Sequence, residues 1–437
     1  MALTFSGGIH VDGFKSTKNI PIETMPAPEF VALALQQHIG APDKPTVQKG
    51  DYVKMGQVIA RNDNALSCPV HSSVSGTVER IETRNSYAGS GKTDFIIIKN
   101  DGEYTLCDTI KPLEKDVTEL TCEEVVDMVR EAGISGMGGA TFPAYAKIQS
   151  AKGKATEIIV NCAECEPFIT ANHRLLLENA MDVICGVKIL LIALGINKAT
   201  FAIEDNKINA AKVLEELCGN DDTLQVKVLK TKYPQGGERQ LIYALNHVEI
   251  PTGKLPSDVG CVVFNVETCY AIYRAVMEGM PLISRTVTID GDCINQPKNL
   301  RIPLGTSYKD IIEYCGGTKE NLSKLINGGP MMGFCQWDLE ATVTKGTSAL
   351  LFLSDKFEKK TAPECIHCGR CAGCCPMRLQ PLYLALFAKK NNLEKCLDYN
   401  IMSCMECGCC AFTCPANVPI VQYIREAKDK IKAMPKA

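Results

Sequence analysis

The sequence has no apolar run long enough to cross a bilayer. Its most apolar stretch, MDVICGVKILLIALGI at 181–196, carries Asp182 and Lys188. It also falls short of the ~20 residues that a spanning helix needs, so it reads as a buried core helix. The N-terminus, MALTFSGGIHVDGFK, lacks a basic patch followed by an apolar run, which predicts no secretory signal. Any membrane association must then come through partners. No charge of one sign dominates: the formal net charge is −3, and nothing global points to nucleic acid or an anionic membrane surface. Cysteine is too sparse for a disulfide scaffold, since 23 residues in 437 lie below the ~8–10% such scaffolds carry.

What is present is a lopsided distribution. The last 73 residues hold 11 of the 23 cysteines, and the odd total leaves at least one thiol unpaired. A reducing compartment with a metal-binding segment fits this pattern. The length suggests about three domains, at roughly 150 residues each.

Residues 1–45 are rich in Pro and Gly and show little periodicity. TVQKGDYVKMGQVIARND then alternates around turn signals at Gly50 and Gly56, and CPVHSSVSGTVERIE repeats the style. KGDYVKMGQVIA resembles half of a biotinyl- or lipoyl-type barrel sandwich. Such carriers hold their group on a hairpin-tip lysine, and Ala60–Gly76 contains none, so a structural module is expected. From 118 to 275 helical and strand-like segments alternate. A helix is expected at 121–133, a buried strand at ATEIIVNCAE, a helix at LLLENAMDVICGVKILLIALGI, a strand at KATFAIED and a helix at KINAAKVLEELCG. That order suggests α/β layers on a largely parallel sheet. Residues 283–355 return to short strands with one helix, SYKDIIEYC (307–315). A polar linker follows from Lys356.

The cysteine-rich end holds one spacing twice: Cys365-x2-Cys368-x2-Cys371-x3-Cys375-Pro376 and Cys404-x2-Cys407-x2-Cys410-x3-Cys414-Pro415. This is the two-cluster ferredoxin pattern. Three closely spaced thiolates wrap one cubane, and the fourth ligates the other cluster. Cys365, Cys368, Cys371 and Cys414 are therefore assigned to one [4Fe–4S] cluster, and Cys404, Cys407, Cys410 and Cys375 to the second. Paired zinc sites would place two CxxC pairs on separate loops and explain the Cys-Pro ends poorly. Cys374 and Cys409 break the spacing and are read as non-ligands. The intervening RLQPLYLALFAKKNNLEKCLDYN looks helical. Clusters only conduct, so a source or sink of electrons must lie elsewhere in the chain.

GISGMGGATFPAYAK (133–147) is a glycine-rich loop between helices, suited to cradling an anion or a flat ring, but it fits neither the dinucleotide nor the P-loop spacing. NCAECEP (161–167) ends a strand at the edge where open α/β sheets bind ligands. YPQGGERQL (233–241) and FNVET (264–268) add glycines, Glu238, Asn265 and Thr268.

Together and in this order, these four segments resemble the flavin- and NADH-binding subunit of respiratory complex I. The resemblance implies FMN contacts from Gly136, Gly138, Gly139, Lys147, Asn161, Glu164, Tyr233, Gly236, Gly237, Asn265 and Thr268. It implies NADH contacts from Phe142, Glu166, Glu238 and Lys254. Met137, Ala163 and Gly237 stand where that family has Arg, Asp and Glu, and Ser257 lies near an expected aromatic. Gly138-Gly139-Ala140-Thr141 lacks the leading residue of a covalent-flavin threonine motif, so FMN is expected to bind non-covalently.

RTVTIDGDCINQPKNLRIPLGTSYKDIIEYCGG resembles the soluble-ligand-binding β-grasp domain that follows the flavin domain in complex I. FSGGIH, PIETMPAPEF, QHIGAP, VQKGDYVKMGQVIA and VHSSVSGTV resemble the C subunits of the Rnf family of membrane-bound ferredoxin:NAD oxidoreductases, and the likeness spans essentially the whole chain. It implies a multidomain α/β plus α+β fold. Residues 1–115 would be an N-terminal segment with the barrel-sandwich β domain and 116–280 the FMN/NADH α/β domain. Residues 281–355 would be the β-grasp domain, and 356–437 a helical two-[4Fe–4S] domain. It further implies hydride exchange between NAD(H) and FMN, single-electron steps through the clusters, and coupling of ferredoxin oxidation to NAD reduction and ion translocation. Its implied partners are the iron–sulfur B subunit, the membrane subunits and, indirectly, ferredoxin, at the cytoplasmic face of the membrane. Two alternatives are weighed: a soluble cobalamin-reductase-type flavoprotein of propanediol utilisation, and a relay or scaffold subunit without active flavin.

Separate modules make a prediction. Cys368→Ser should lose one cluster yet leave flavin reduction by NADH intact, as read by EPR and visible absorbance. Loss of both would contradict separate modules.

Overall fold

A computed structural model of the chain describes residues 3–63, 66–85, 91–357 and 364–434. Residues 64–65, between Ala60 and Gly76, and residues 358–363 of the expected polar linker lie outside these.

The alternating segments near the N-terminus form two antiparallel sheets. One has the order Phe30–Ala34, Lys92–Asn100, Gly76–Asn85, Tyr52–Val53; the other has Lys44–Pro45, Val58–Arg61, Val70–His71. Both faces of the longer strand are used. Phe95 and Ile97 pack with Ala32 and Ala34, while Ile96 and Ile98 join the main core. Cys68 and Pro69, in the segment that would carry the mobile tip in a carrier domain, are docked. The Cys68 thiol donates to the Ile134 carbonyl (3.5 Å). Lys345 Nζ, fully buried, donates to the carbonyls of Pro69 (2.7 Å) and Cys68 (3.3 Å). Gly133, at φ +65°, allows this approach, because a Cβ there would stand 2.2 Å from the Pro69 oxygen. The barrel sandwich thus buttresses the start of the glycine-rich loop.

The α/β region is built on a four-stranded parallel sheet in the order Leu224–Leu229, Ala199–Glu204, Glu157–Cys162, Cys261–Asn265. Three of its strands, Ala199–Glu204, Glu157–Cys162 and Cys261–Asn265, are covered on both faces, which is why they read as continuous apolar runs, whereas Leu224–Leu229 leaves Gln225 and Lys227 exposed at the edge. Ile158, Val160, Phe201, Ile203 and Phe264 enter the main core. Ile159, Ala202 and Val263 face a second cluster with Leu241, Ile242 and Ala244 of helix Glu238–Asn246. The capping box at Thr121 and Glu124 starts helix Cys122–Glu131. The expected long helix is two helices, Ala171–Glu178 and Ala180–Leu194, because Asn179 leaves helical geometry at φ −132°, ψ 31°. Gly186 lets helix Ala180–Leu194 touch helix Val266–Glu278; a Cβ there would meet the Cys269 carbonyl oxygen at 2.0 Å.

A six-stranded sheet follows, ordered Ile22–Thr24, Lys298–Pro303, Ser284–Asp290, Ala349–Ser354, Leu322–Asn327, Phe334–Gln336. Helix Tyr308–Tyr314 begins at Ser307, whose side chain accepts from the Asp310 N–H. The first strand ties the N-terminal segment to this sheet. Ile22–Thr24 pairs in parallel with Asn299–Arg301, and Leu3 and Ile9 bridge to Leu229 and Tyr233. The N-terminal segment therefore runs across the later units. The cysteine-rich end is helical, with helices at Arg370–Gly373, Pro381–Lys389, Leu393–Asp398, Cys409–Phe412 and Ile420–Ala433 around their own core.

Glu267, on helix Val266–Glu278, joins the α/β and β-grasp layers. It accepts from Arg285 Nη2 (2.9 Å) and the Thr286 N–H (2.6 Å), and Arg285 also donates to the Lys345 carbonyl. Both side chains are buried. Removing one partner of a buried pair strands the other charge. Glu267→Ala is expected to lower the unfolding free energy by about 3–5 kcal/mol, measured by denaturant titration.

Candidate functional site

The carboxyl ends of the parallel strands bring the glycine-rich loop and two asparagines together. Asn161 and Asn265 are register partners on adjacent strands. Each side chain is partly engaged by its own chain. Asn265 Oδ1 caps helix Val266–Glu278 by accepting from the Glu267 N–H (2.9 Å), and Asn161 Oδ1 accepts from the Ala163 N–H (3.1 Å). Asn161 Nδ2 reaches the Gly236 carbonyl (2.9 Å) and ties in the second glycine segment. A Cβ on Gly236 would stand 2.5 Å from the Ala163 oxygen, so the close approach of these two loops needs a glycine there.

The glycine loop closes on itself through Gly136 N–H to Phe142 O (2.8 Å) and hangs on the buried Thr268, whose Oγ1 accepts from the Met137 N–H (3.0 Å). A Cβ on Gly138 would lie 3.4 Å from Asn265 Cβ. Gly139, at φ +124°, has open space where a Cβ would point. Gly136, Gly138, Asn161, Gly236, Asn265 and Thr268 are thereby gathered at one edge. Lys147 Nζ donates to the Val263 carbonyl (2.8 Å) and pairs with Glu238 Oε1 (3.0 Å), so one residue expected at FMN and one expected at NADH meet directly. Phe142 is half-buried in the loop, and Lys254 is exposed on a turn beyond it.

Three expected residues are turned elsewhere. Glu164 is buried and accepts from the N–H groups of Asn172 (2.8 Å) and His173 (3.4 Å), satisfying donors at the start of helix Ala171–Glu178. Tyr233 is 1% exposed and donates its hydroxyl to the Cys407 carbonyl (2.7 Å) in the cysteine-rich end. Gly237 begins helix Glu238–Asn246, and its Cα faces Met405; a Cβ would be 2.8 Å from the Met405 methyl. The two departures at Met137 and Ala163 also have a physical reason: both side chains enter apolar cores.

Sequence reading missed several residues here. Lys15 Nζ donates to the carbonyls of Glu164 (2.9 Å), Glu166 (2.7 Å) and Ile169 (2.5 Å), pinning the NCAECEP loop; burial pulls this lysine down to about 8. No pattern in residues 1–45 signals it. Ser135 Oγ and both amide atoms of Gln235 are buried with no partner among the described residues. Such orphans cost about 1–3 kcal/mol each, and they flank Gly136 and Gly236. A polar group bound at this edge would relieve them, so the donor set fits a flavin nucleotide.

Cys375, Cys404, Cys407 and Cys410 line one small cavity, walled by apolar side chains that include Leu384 and Val421. This is the cross-motif set expected for the second cluster. Burial pushes the Cys404 thiol up to about 11 and raises Cys375 and Cys410. Four sulfur donors around one apolar cavity are the chemistry a cluster requires, and bound iron would hold them as thiolates, so the set fits a cluster. Cys409 also borders the cavity, but its thiol points to the Tyr233 carbonyl (3.9 Å). Cys374 lies beside Thr413 Oγ1 (3.3 Å). Of the other set, Cys368 is exposed and Cys365, Cys371 and Cys414 are half-buried. Among the described residues no three His, Cys, Asp or Glu side chains close to single-ion spacing.

Comparisons with known proteins agree with this layout. The family described as the RnfC barrel sandwich hybrid domain matches residues 3–103. The Nuo51 FMN-binding domain matches 129–274, and the SLBB domain matches 286–334. The chain is 46% identical to the C subunit of the proton-translocating ferredoxin:NAD(+) oxidoreductase complex of Clostridium ljungdahlii, over 99% of this chain and 95% of that one. It is 42% identical to the C subunit of the Na(+)-translocating ferredoxin:NAD(+) oxidoreductase complex of Acetobacterium woodii, over 98% and 97%. It is 40% identical to the C subunit of the ion-translocating oxidoreductase complex of Rhodobacter capsulatus, over 98% and 83%. Among solved structures, an NAD+-reducing [NiFe]-hydrogenase shares the fold at 16% identity, with a TM-score of 0.52, over 73% of this chain and 63% of that one.

Glu166 carries a pH prediction. It accepts from the Met331 N–H (3.0 Å) and from the Tyr233 hydroxyl (3.4 Å), and burial pushes it up to about 7. A raised carboxyl favours folding in its protonated form, so its contribution is complete below about 4.3 and is lost as pH rises through 7. Glu166→Gln should therefore gain stability relative to the native chain between acid and slightly alkaline pH, read by denaturant unfolding. A constant difference would contradict the shift.

Proposed function

The chain belongs to the family of C subunits of ion-translocating ferredoxin:NAD(+) oxidoreductase complexes, and from that premise we propose that it is the nicotinamide-reactive electron-transfer subunit of such a complex. It would exchange electrons between NAD(H), non-covalent FMN and two [4Fe–4S] clusters, and so couple ferredoxin oxidation to NAD reduction and ion translocation. FMN, when bound, supplies the step between a two-electron hydride donor and one-electron acceptors.

The chain's own part is to bind and to align. The loop of Gly136, Gly138 and Gly139, with Asn161, Asn265, Thr268 and Gly236, is the proposed FMN cradle. Lys147 beside it supplies positive charge, the backbone from Tyr233 to Gly237 borders it while the outer faces of these two residues meet the cysteine-rich end, and Glu164 braces the loop from behind. Phe142, Glu166, Glu238 and Lys254 are the proposed NADH contacts. A carboxyl held near neutrality in such a place is a recognised mark of a functional site. Cys375, Cys404, Cys407 and Cys410 would hold the cluster nearer the flavin, and Cys365, Cys368, Cys371 and Cys414 the outer one.

The observation that carries this reading is the segment from Tyr233 to Glu238. Its Gly236 carbonyl is held by Asn161 at the sheet edge, while its Tyr233 hydroxyl reaches Cys407 in the cysteine cavity. One short, rigid stretch thus belongs to both proposed cofactor sites. Among the described residues no helix is long and apolar enough to cross a membrane. Attachment at the cytoplasmic face would come through the membrane subunits and the iron–sulfur B subunit.

The test is the cofactor content of the purified full chain with an NADH titration. FMN, iron and sulfide for two cubane clusters, and bleaching of the flavin band by NADH are expected. Iron–sulfur absorbance without FMN and without NADH-dependent dye reduction would establish the relay reading instead.

A further inference from the structure

The N-terminal stretch Phe5–Ile9 is threaded between the α/β domain and the cysteine loops. On one side the Gly8 N–H donates to the Cys374 carbonyl (2.8 Å). On the other, Ile9 and Tyr233 exchange a pair of backbone hydrogen bonds, Ile9 N–H to Tyr233 O (2.8 Å) and Tyr233 N–H to Ile9 O (2.9 Å). Lys232 Nζ fastens the start of the stretch, donating to the Phe5 carbonyl (2.9 Å) and lying 4.6 Å over the Phe5 ring.

The fit depends on two consecutive glycines in the left-handed region, Gly7 at φ +77° and Gly8 at φ +75°. A Cβ on Gly7 would stand 2.7 Å from the Cys375 carbonyl oxygen, and one on Gly8 would stand 2.6 Å from the Tyr233 oxygen. Ile9 is buried in the same cluster as Tyr233, Cys374, Cys407 and Cys410. The stretch therefore spans the gap between Tyr233 and the loop of Cys374 and Cys375, in close backbone contact with both.

We propose that Phe5–Ile9 is a positioning strap for electron transfer, with Gly7 and Gly8 fixing the cluster held by Cys375, Cys404, Cys407 and Cys410 at a set separation from the flavin domain. This rests on the cofactor assignment above. With the groups bound, FMN and this cluster would exchange electrons one at a time, each electron lost by one being gained by the other and passed on through the second cluster, in whichever direction the complex runs. The strap gains and loses nothing; it sets distance and alignment.

The experiment uses the full chain with its cofactors. Gly7→Ala and Gly8→Ala push a methyl into the two tight contacts, and Lys232→Met loosens the strap without adding bulk. Gly13→Ala, whose Cβ would meet only the Lys15 side chain at 3.4 Å, is the control. Stopped-flow absorbance separates flavin reduction by NADH from cluster reduction, and EPR redox titration follows each cluster. The strap variants are expected to keep iron, FMN and the NADH-to-flavin phase. They should slow cluster reduction by roughly tenfold or more, the scale of losing a supporting contact behind a metal ligand, and shift the potential of one cluster only. Gly13→Ala should behave as the native chain does. An unchanged cluster phase in Gly8→Ala and Lys232→Met, or equal loss of flavin and cluster reduction, would overturn the strap. A native chain lacking FMN or clusters would overturn the cofactor assignment instead.

Discussion

The Tyr233 hydroxyl donates to the main-chain carbonyl of Cys407 in a place almost closed to water, and four separately folded stretches meet around it. The N-terminal strap pairs with the Tyr233 backbone, and Glu166 of the NCAECEP loop accepts from its hydroxyl. Met331 of the β-grasp layer donates to Glu166, and the Met331 carbonyl lies against Gly408. A buried hydroxyl must find an acceptor, so this joint has one well-satisfied arrangement and few alternatives. A chain that moves electrons between domains needs that uniqueness, since a loose joint would leave the donor–acceptor distance undefined.

Buried cations do similar work elsewhere. Lys15, Lys345 and Arg285 come from the N-terminal segment, a late loop and a β-grasp strand. Each places its charge on carbonyls or a carboxylate of another unit. Such contacts add little net stability once desolvation is counted, and breaking them is costly. Their role here is to specify how the layers sit. Lys345 and Pro69 hold the barrel sandwich under Gly133, and Lys15 holds the loop that follows Asn161.

Much of the architecture was legible in the residue pattern. The apolar runs at 157–162 and 199–204 are strands because both faces of the sheet are covered there, and the apolar face within 121–133 does form a helix. The cysteine spacing pointed to a cross-motif set, and Cys375 does line a cavity with Cys404, Cys407 and Cys410. Other features were not legible. The break at Asn179 interrupts a run of good helix formers, and nothing nearby predicts it. Glu164 and Tyr233 sit in motifs that suggest cofactor contact, yet one caps a helix and the other joins two domains. Residues 3–24 have no periodicity because their partners, backbone and side chain alike, lie in distant segments.

What the sequence determined by itself are the local and repetitive properties: strand and helix periods, caps, and the spacing of thiols that must wrap a compact cluster. These depend on neighbours within a few residues and leave a mark in the text. Tertiary structure alone decided the joints. The contacts of Gly7 and Gly8 with Cys375 and Tyr233, the three carbonyls around Lys15, and the orphaned amide of Gln235 depend on residues far apart in the chain. Backbone carbonyls accept regardless of residue type, so no one-dimensional pattern could announce which of them a buried lysine or a glycine strap would meet.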